Sequence, residues 1–284
     1  YVMTVGVDKG ETYDYRFCFI VQVEGESQGE SDAENVVLSA EGDNIYDAVA
    51  VVEVGVPYQL NFGRANYMLF SKDVAETGYI SRFIDESFKN LGVRRSTKLM
   101  VVLGDSLDYC TGVVSKDNPN TSKRQYSILR DYVSEGLTPI TNIAMFTQNV
   151  NAKRGDNIVT LGATDDSIPN EEITGSSQDS ELNPNSTTAG VERTGGLRAY
   201  YMGCAVFDGG TMKGVLSGRD TEIILMAKGM FRAGRLTLHH EGGEGHMVLL
   251  LKGGGKPKVE LSIGGDAPYA KMSVRLQCHV ECGE

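Results

Sequence analysis

Residues 67–103 read YMLFSKDVAETGYISRFIDESFKNLGVRRSTKLMVVL, and the order of patterns in this stretch decides the fold. Tyr67–Phe70 is a short apolar strand, and Ser71–Thr77 reads as a brief helical turn. Tyr79–Leu91 then keeps helical spacing, with Ile80, Phe83, Ile84, Phe88 and Leu91 on one face and Gly92 as its stop. Lys98–Leu103 (KLMVVL) is continuously apolar, the pattern of a strand covered on both faces. A strand, a helix and a strand at these lengths form a crossover unit, so the two strands are expected to lie parallel.

Towards the N-terminus, Val2–Val7 and Tyr15–Val23 are strand patterns joined by a polar turn at Asp8–Thr12. The acidic, turn-rich run 25–34 is an exposed loop, and Val36–Ser39 a third strand, giving an antiparallel meander. A helix opens in Gly42–Ala48, capped by Asp43 or Asn44, with Ile45, Ala48, Val49 and Val52 on one face. Its other positions are also largely apolar, which implies burial on more than one side. Beyond residue 103, Asp105–Val114 is a helix with Asp105 or Ser106 as its cap. Lys123–Ser134 is helical with Gly136 as a stop, Thr138–Phe146 fits more than one state, and Ile158–Ala163 is a strand.

From Thr164 to Gly196 the composition changes. Asp165, Asp166, Glu171, Glu172, Asp179, Glu181 and Glu192 face Arg193 alone, among Ser, Thr, Asn and Pro with little to bury. This is an acidic linker or exposed loop and the best boundary in the chain. Gly203–Gly229 follows as GCAVFDGGTMKGVLSGRDTEIILMAKG. It spells a strand, a turn at Asp208–Thr211, a return strand at Lys213–Leu216, and a helix over Thr221–Ala227 with Ser217 as cap and Gly229 as stop. Asp220 and Glu222 near the helix start are accounted for by the helix dipole. Arg235–His239, Met247–Leu251, Lys258–Ile263 and Met272–Val280 then alternate with Gly-rich turns, as in an antiparallel sheet.

The expected fold class is α+β and multi-domain: mixed and antiparallel sheets flanked by helices, with a C-terminal antiparallel sheet plus helix. The expected division is 1–163 as an N-terminal α/β region, 164–196 as linker, and 197–284 as a C-terminal α+β domain. The 284 residues, 40% of them hydrophobic, suffice for proper cores. A net charge of −11 argues against nucleic acid, since the only tight basic pairs are Arg94-Arg95, Lys123-Arg124 and Lys153-Arg154, read as solvated surface. The five cysteines at 18, 110, 204, 278 and 282 are odd in number and scattered, so they are no disulfide framework. Cys18, Cys110 and Cys204, within apolar patterns, are expected as buried free thiols. No apolar run approaches the roughly 20 residues of a membrane span. The sequence opens directly in a strand, without a leader, and is expected to be a mature or partial fragment.

Each pattern that suggests chemistry has a plainer reading. His239, His240 and His246 near Cys278, His279 and Cys282 supply zinc-type ligands, but without regular spacing. Gly253-Gly254-Gly255-Lys256 precedes Pro257 and a strand, whereas a phosphate loop leads into a helix. Asp85-Glu86 lies on a polar helix face, and Asp105 with Asp108 resembles helix capping. All four histidines fall after residue 238, and no Gly-x-Ser-x-Gly elbow occurs, so nothing points to a nucleophilic enzyme. No catalytic, cofactor-binding or metal-ligating residue is assigned, and no cofactor is expected.

Three blocks resemble the Ger(x)C spore germination proteins. VGVDKG (5–10) followed by a strand and SAEGDNIYDAVAVV (39–52) is similar to the family's short strand ending in Asp, its second strand and its Gly-x-Thr helix start, with Asn44 in place of Thr. YMLFSKDVAETGYISRFIDESFKN…RRSTKLMVVLGDSLDYC resembles its central strand, helix and following strand–helix, and Gly203–Gly229 its later signature. Gly63-Arg64-Ala65-Asn66 stands where the family often has His and Lys, and Asn90-Leu91-Gly92 where Arg-Asp is common. The family continues past the equivalent of Glu284 with a long helix and strands, so the last domain is expected to be incomplete here. The resemblance implies a non-catalytic lipoprotein subunit of a nutrient germinant receptor. It implies tethering to the outer face of the spore inner membrane by a lipidated cysteine before Tyr1, beside integral-membrane A and B subunits. The alternative is an extracytoplasmic ligand-binding or scaffold lipoprotein of another system. A third and weaker reading is a metal-dependent hydrolase using His239, His240 or His246.

Overall fold

The computed structural model describes residues 1–23, 34–114, 130–131, 133–134, 136–152, 157–164, 199–239, 246–253, 257–263 and 268–282. The strands are β1 (Val2–Lys9), β2 (Tyr15–Val23), β3 (Glu34–Gly42), β4 (Tyr67–Ser71), β5 (Lys98–Val102), β6 (Ile158–Thr164), β7 (Ala199–Asp208) and β8 (Thr211–Leu216). They form one mixed sheet in the order β3-β2-β1-β4-β5-β6-β7-β8. The expected crossover is present: β4 and β5 are parallel, with Tyr67 beside Lys98 and Phe70 beside Val101. β1 and β6 extend the parallel set on either side. The meander β1–β2–β3 and the hairpin β7–β8 are antiparallel margins. β3 runs further than the apolar run Val36–Ser39 because it pairs with β2 along its whole length, from Glu34 opposite Val23 to Gly42 opposite Tyr15.

Both sheet faces are covered, and the period of two assigns the side chains. Phe17, Phe19 and Val21 of β2 enter the larger core, while Cys18 and Ile20 enter the opposite one. Met68, Phe70, Leu99 and Val101 join the first set; Tyr67, Leu69, Met100 and Val102 the second. The helices are α1 (Ile45–Val54), α2 (Lys72–Thr77), α3 (Tyr79–Asn90), α4 (Ser106–Val113), α5 (Ile143–Ala152) and α6 (Gly218–Ala227). Ala48, Val74, Ile80, Phe83 and Phe146 from α1, α2, α3 and α5 fill the larger core. Tyr109, Cys110 and Val113 of α4 close the other face. The ambiguous stretch 138–146 resolves into a bridge between Asn142 and Lys98 followed by α5. The helix expected over 123–134 falls largely outside the described residues.

Two local expectations change. Asn44, not Asp43, caps α1: its Oδ1 accepts from the Tyr46 and Asp47 amides at 2.9 and 3.1 Å. The same helix buries Ile45, Ala48 and Val52 but leaves Val51 61% and Val54 91% exposed. Its apolar outer positions therefore face solvent rather than a second core.

Of the stretch 164–196, expected as a linker, Thr164 ends β6 and the rest lies outside the described residues; β7 pairs antiparallel with β6, and the sheet continues through β8. Phe207 of β7 meets Phe146 of α5 edge-on at 5.4 Å, both fully buried. The pairing with β6 shifts register near Gly203, which adopts φ +61. A Cβ there would sit 1.9 Å from the Leu216 carbonyl oxygen, so the bulge requires glycine on both counts. Ser217 caps α6 as expected, accepting from the Asp220 amide at 3.1 Å. Leu225 of that helix packs with Ile158, Cys204 and Phe231 in a third, smaller core.

The chain ends in two small antiparallel sheets. One has the order β13-β10-β9, built from β9 (Ala233–His239), β10 (His246–Lys252) and β13 (Gln277–Cys282). The other pairs β11 (Lys258–Ile263) with β12 (Pro268–Ser273). The expected strand Met272–Val280 is thus two strands. β12 ends with Ser273 opposite Lys258, and β13 begins with Gln277 opposite Lys252, so residues 274–276 carry the chain from one sheet to the other.

Candidate functional site

Open sheets with parallel strands bind ligands beyond the carboxyl ends of those strands. Here that end is filled by the protein itself. Asp8, near the end of β1 and fully buried, points its carboxylate at the start of α4. Oδ1 accepts from the Ser106 amide at 2.6 Å and Oδ2 from the Leu107 amide at 3.1 Å, across 98 and 99 residues of sequence. Asp105 occupies the cap position of α4 but makes no capping bond. It takes an Arg16 guanidinium nitrogen at 2.9 Å instead, and Arg16 also lies 3.9 Å from Asp8. Burial raises the Asp8 pKa above its ordinary value, and the hydrogen bonds from Ser106 and Leu107 oppose that rise.

The floor of this end is close-packed. Cys18 Sγ lies 3.4 Å from Ser106 Oγ and 3.6 Å from Cys110 Sγ. A Cβ on Gly6 would approach Cys18 Sγ to 2.3 Å and Ser106 Oγ to 2.4 Å, so no side chain fits there. Contact with Cys18, and then burial, push the Cys110 thiol well above its ordinary range. Burial likewise pushes Cys204 up to about 11. Cys18, Cys110 and Cys204 are buried free thiols, as their apolar settings suggested, and thiols held this way are poor nucleophiles.

The opposite end of the parallel strands is open. A cleft of about 340 Å³ is lined there by Met3, Arg64, Asn66, Arg94, Ser96 and Lys98, with no carboxylate among its described lining residues. The parallel register builds it, because the connections entering β4 and β5 lie side by side. The Lys98 amide donates to the Asn66 carbonyl at 2.9 Å, and the Thr97 hydroxyl donates to the Ala65 carbonyl at 2.7 Å. The Arg64 guanidinium stacks 3.8 Å over the Tyr1 ring, and the Lys98 ammonium lies 5.2 Å from the Tyr67 ring centre. Partial burial lowers the Lys98 pKa. Arg94, read from sequence as half of a solvated basic pair, belongs to this cleft.

The other sequence candidates are dispersed. His239 and His246 are register partners at one end of the β9–β10 pair, with Cys282 opposite Met247 there. Cys278 and His279 lie at the other end of β13, opposite Leu251 and Leu250. His240 and Gly254–Lys256 fall outside the described residues. Among the described residues no three metal-ligating side chains gather. Gly253 leads to β11, a strand. Glu86 pairs with Arg82 on α3 at 2.8 Å, and Asp85 and Asp108 are exposed.

Two family models match the chain in order. Residues 1–162 match the spore germination protein N-terminal domain, and residues 202–284 match the C-terminal domain described as spore germination B3/GerAC like. The chain belongs to the Ger(x)C family. It is a spore germination protein of the germinant-receptor C-subunit class. A solved structure, the crystal structure of the GerBC protein, is similar at a TM-score of 0.51 and 12% identity, covering 99% of this chain and 72% of that one. At that identity the likeness concerns the fold, and it matches the mixed sheet with helices and small antiparallel sheets described above. No curated protein sequence matches the chain. The block VGVDKG falls on β1 and its end, and carries Asp8, whose carboxylate holds the start of α4. Sequence inspection missed this role because the partner lies 98 residues away.

Proposed function

We propose that this chain is a non-catalytic lipoprotein subunit of a nutrient germinant receptor, working through protein–protein assembly. In this reading a lipidated cysteine preceding Tyr1 tethers it to the outer face of the spore inner membrane, beside the integral-membrane A and B subunits. The observation that carries the reading is the ordered match of both family domains along the chain. A lipid tether suits a chain in which, among the described residues, no helix is long and apolar enough to cross a membrane. Assembly is favoured by α1, which leaves Val51 and Val54 exposed. Of the four carboxylates that sequence offers for acid–base chemistry, two are engaged in ion pairs, Asp105 with Arg16 and Glu86 with Arg82.

Deleting the gene and scoring nutrient-triggered germination tests this directly. Loss of the response to one nutrient class, restored by the wild-type gene and accompanied by co-purification with the A and B subunits, is the expected result. Normal germination of the deletion strain with every nutrient, or recovery of the protein without incorporated lipid in the soluble fraction, would sink the proposal.

A further inference from the structure

The cleft at the amino ends of β1, β4 and β5 runs against the character of the rest of the chain. The protein carries a net charge of −11, yet Arg64, Arg94 and Lys98 all line one cavity, with no carboxylate among its described lining residues. Basic side chains gathered in one concavity raise the local positive potential and attract anions. The groups are also held in place. Thr97, between Arg94 and Lys98, donates its amide to the Arg94 carbonyl at 3.0 Å and its hydroxyl to Ala65 at 2.7 Å. Tyr1 lies under the Arg64 guanidinium, and Lys98 is part-buried over Tyr67. Two planar guanidinium forks and one ammonium suit a phosphate, which offers several oxygens to share among them. The cavity, at about 340 Å³, is large enough for a small ester rather than a bare ion alone.

We propose that this cleft is a binding site for a phosphate-bearing anion, formed by Arg64, Arg94 and Lys98 at the end of the molecule where Tyr1 lies. Resting on the tethered-lipoprotein reading, the phosphate is that of an anionic lipid headgroup, because a tether before Tyr1 brings this end to the bilayer. A soluble phosphate monoester presents the same chemistry, and the experiment separates the two sources.

The full chain is tested at low salt by co-sedimentation with phosphatidylglycerol vesicles, with phosphatidylcholine vesicles as comparison, and by thermal shift with glycerol 3-phosphate. The proposal expects saturable binding in at least one arm, weakening as salt is raised. The triple variant Arg64→Gln/Arg94→Gln/Lys98→Gln should weaken that binding roughly tenfold or more. Lys9→Gln/Lys213→Gln/Lys271→Gln, with the same change in net charge on exposed sites elsewhere, should retain it. Pelleting with phosphatidylglycerol alone assigns the lipid headgroup, and stabilisation by glycerol 3-phosphate alone assigns a soluble ester. Arg94→Gln, at an exposed position, is a second variant whose unchanged melting temperature separates lost binding from lost folding. No binding in either arm, or equal loss in both triple variants, overturns the proposal. Whether native protein carries lipid is a separate measurement: its failure removes the tether and leaves a positive cleft result standing.

Discussion

The two ends of the parallel strands are built on opposite plans. At the carboxyl end a buried carboxylate is consumed by the fold, holding two amides of a helix that begins 98 residues later. At the amino end three cations line an open cleft, Arg64 and Arg94 exposed and Lys98 part-buried. The first arrangement is closed and its substitution falls on stability. The second is open, and its substitution should leave stability nearly unchanged. In most open sheets the carboxyl end is the one kept free for ligands. In this chain a side chain of β1 occupies it, and the available concavity lies at the other end.

That contrast can be broken or sharpened. Asp8→Ala should have the largest effect, because it strands the buried Ser106 amide and the part-buried Leu107 amide and removes the anion beside Arg16. A loss of about 3 to 5 kcal/mol in urea unfolding is expected, and a loss below 1 would mean that the carboxyl end is not held by Asp8. Gly6→Ala should follow, with about 1 to 3 kcal/mol lost, since the new methyl collides with Cys18 and Ser106. Asp8→Asn isolates a smaller, pH-dependent part. The folded state raises the Asp8 pKa, so it holds that proton more tightly than the unfolded chain. The Asp8 contribution is complete below the ordinary value of 3.8 and declines as pH rises through the folded value. The stability difference between wild type and Asp8→Asn should therefore shrink as pH is raised from about 3 to 7; a gap that widens over this window would reverse the sign. Smallest of all, Arg94→Glu should change stability by no more than about 0.5 kcal/mol, and a larger loss would make the cleft a structural element.

Much of the fold was legible because it is local. Residues 67–103 switch from strand to helical period and back, and hairpin turn chemistry marks 203–216. The rest depends on pairing that local pattern does not encode. β3 carries Glu34, Asn35 and Glu41 outside the apolar run Val36–Ser39, and these polar residues do not read as strand until β2 supplies a partner for each. Met272–Val280 looked continuous because its composition does not record that the two ends belong to different sheets. Asp105 looked like the cap of α4 because it is adjacent, whereas the capping group arrives from β1. The cleft had a usable signal: once the strands of 67–103 are read as parallel, the residues before Tyr67 and before Lys98 must lie together. Arg64 and Arg94 follow from that reasoning.

The bond between β6 and β7 has a consequence for anyone cutting this protein at the family boundary. All seven residues of β6 are buried, and its outer backbone groups are matched by β7, which arrives only after residue 198. A fragment ending near residue 162 would present that strand as a bare apolar edge, which invites edge-to-edge aggregation. The two regions that sequence comparison separates are thus one load path: a pull on the C-terminal sheets is transmitted through β7 into the central strands, and onward to both of their ends.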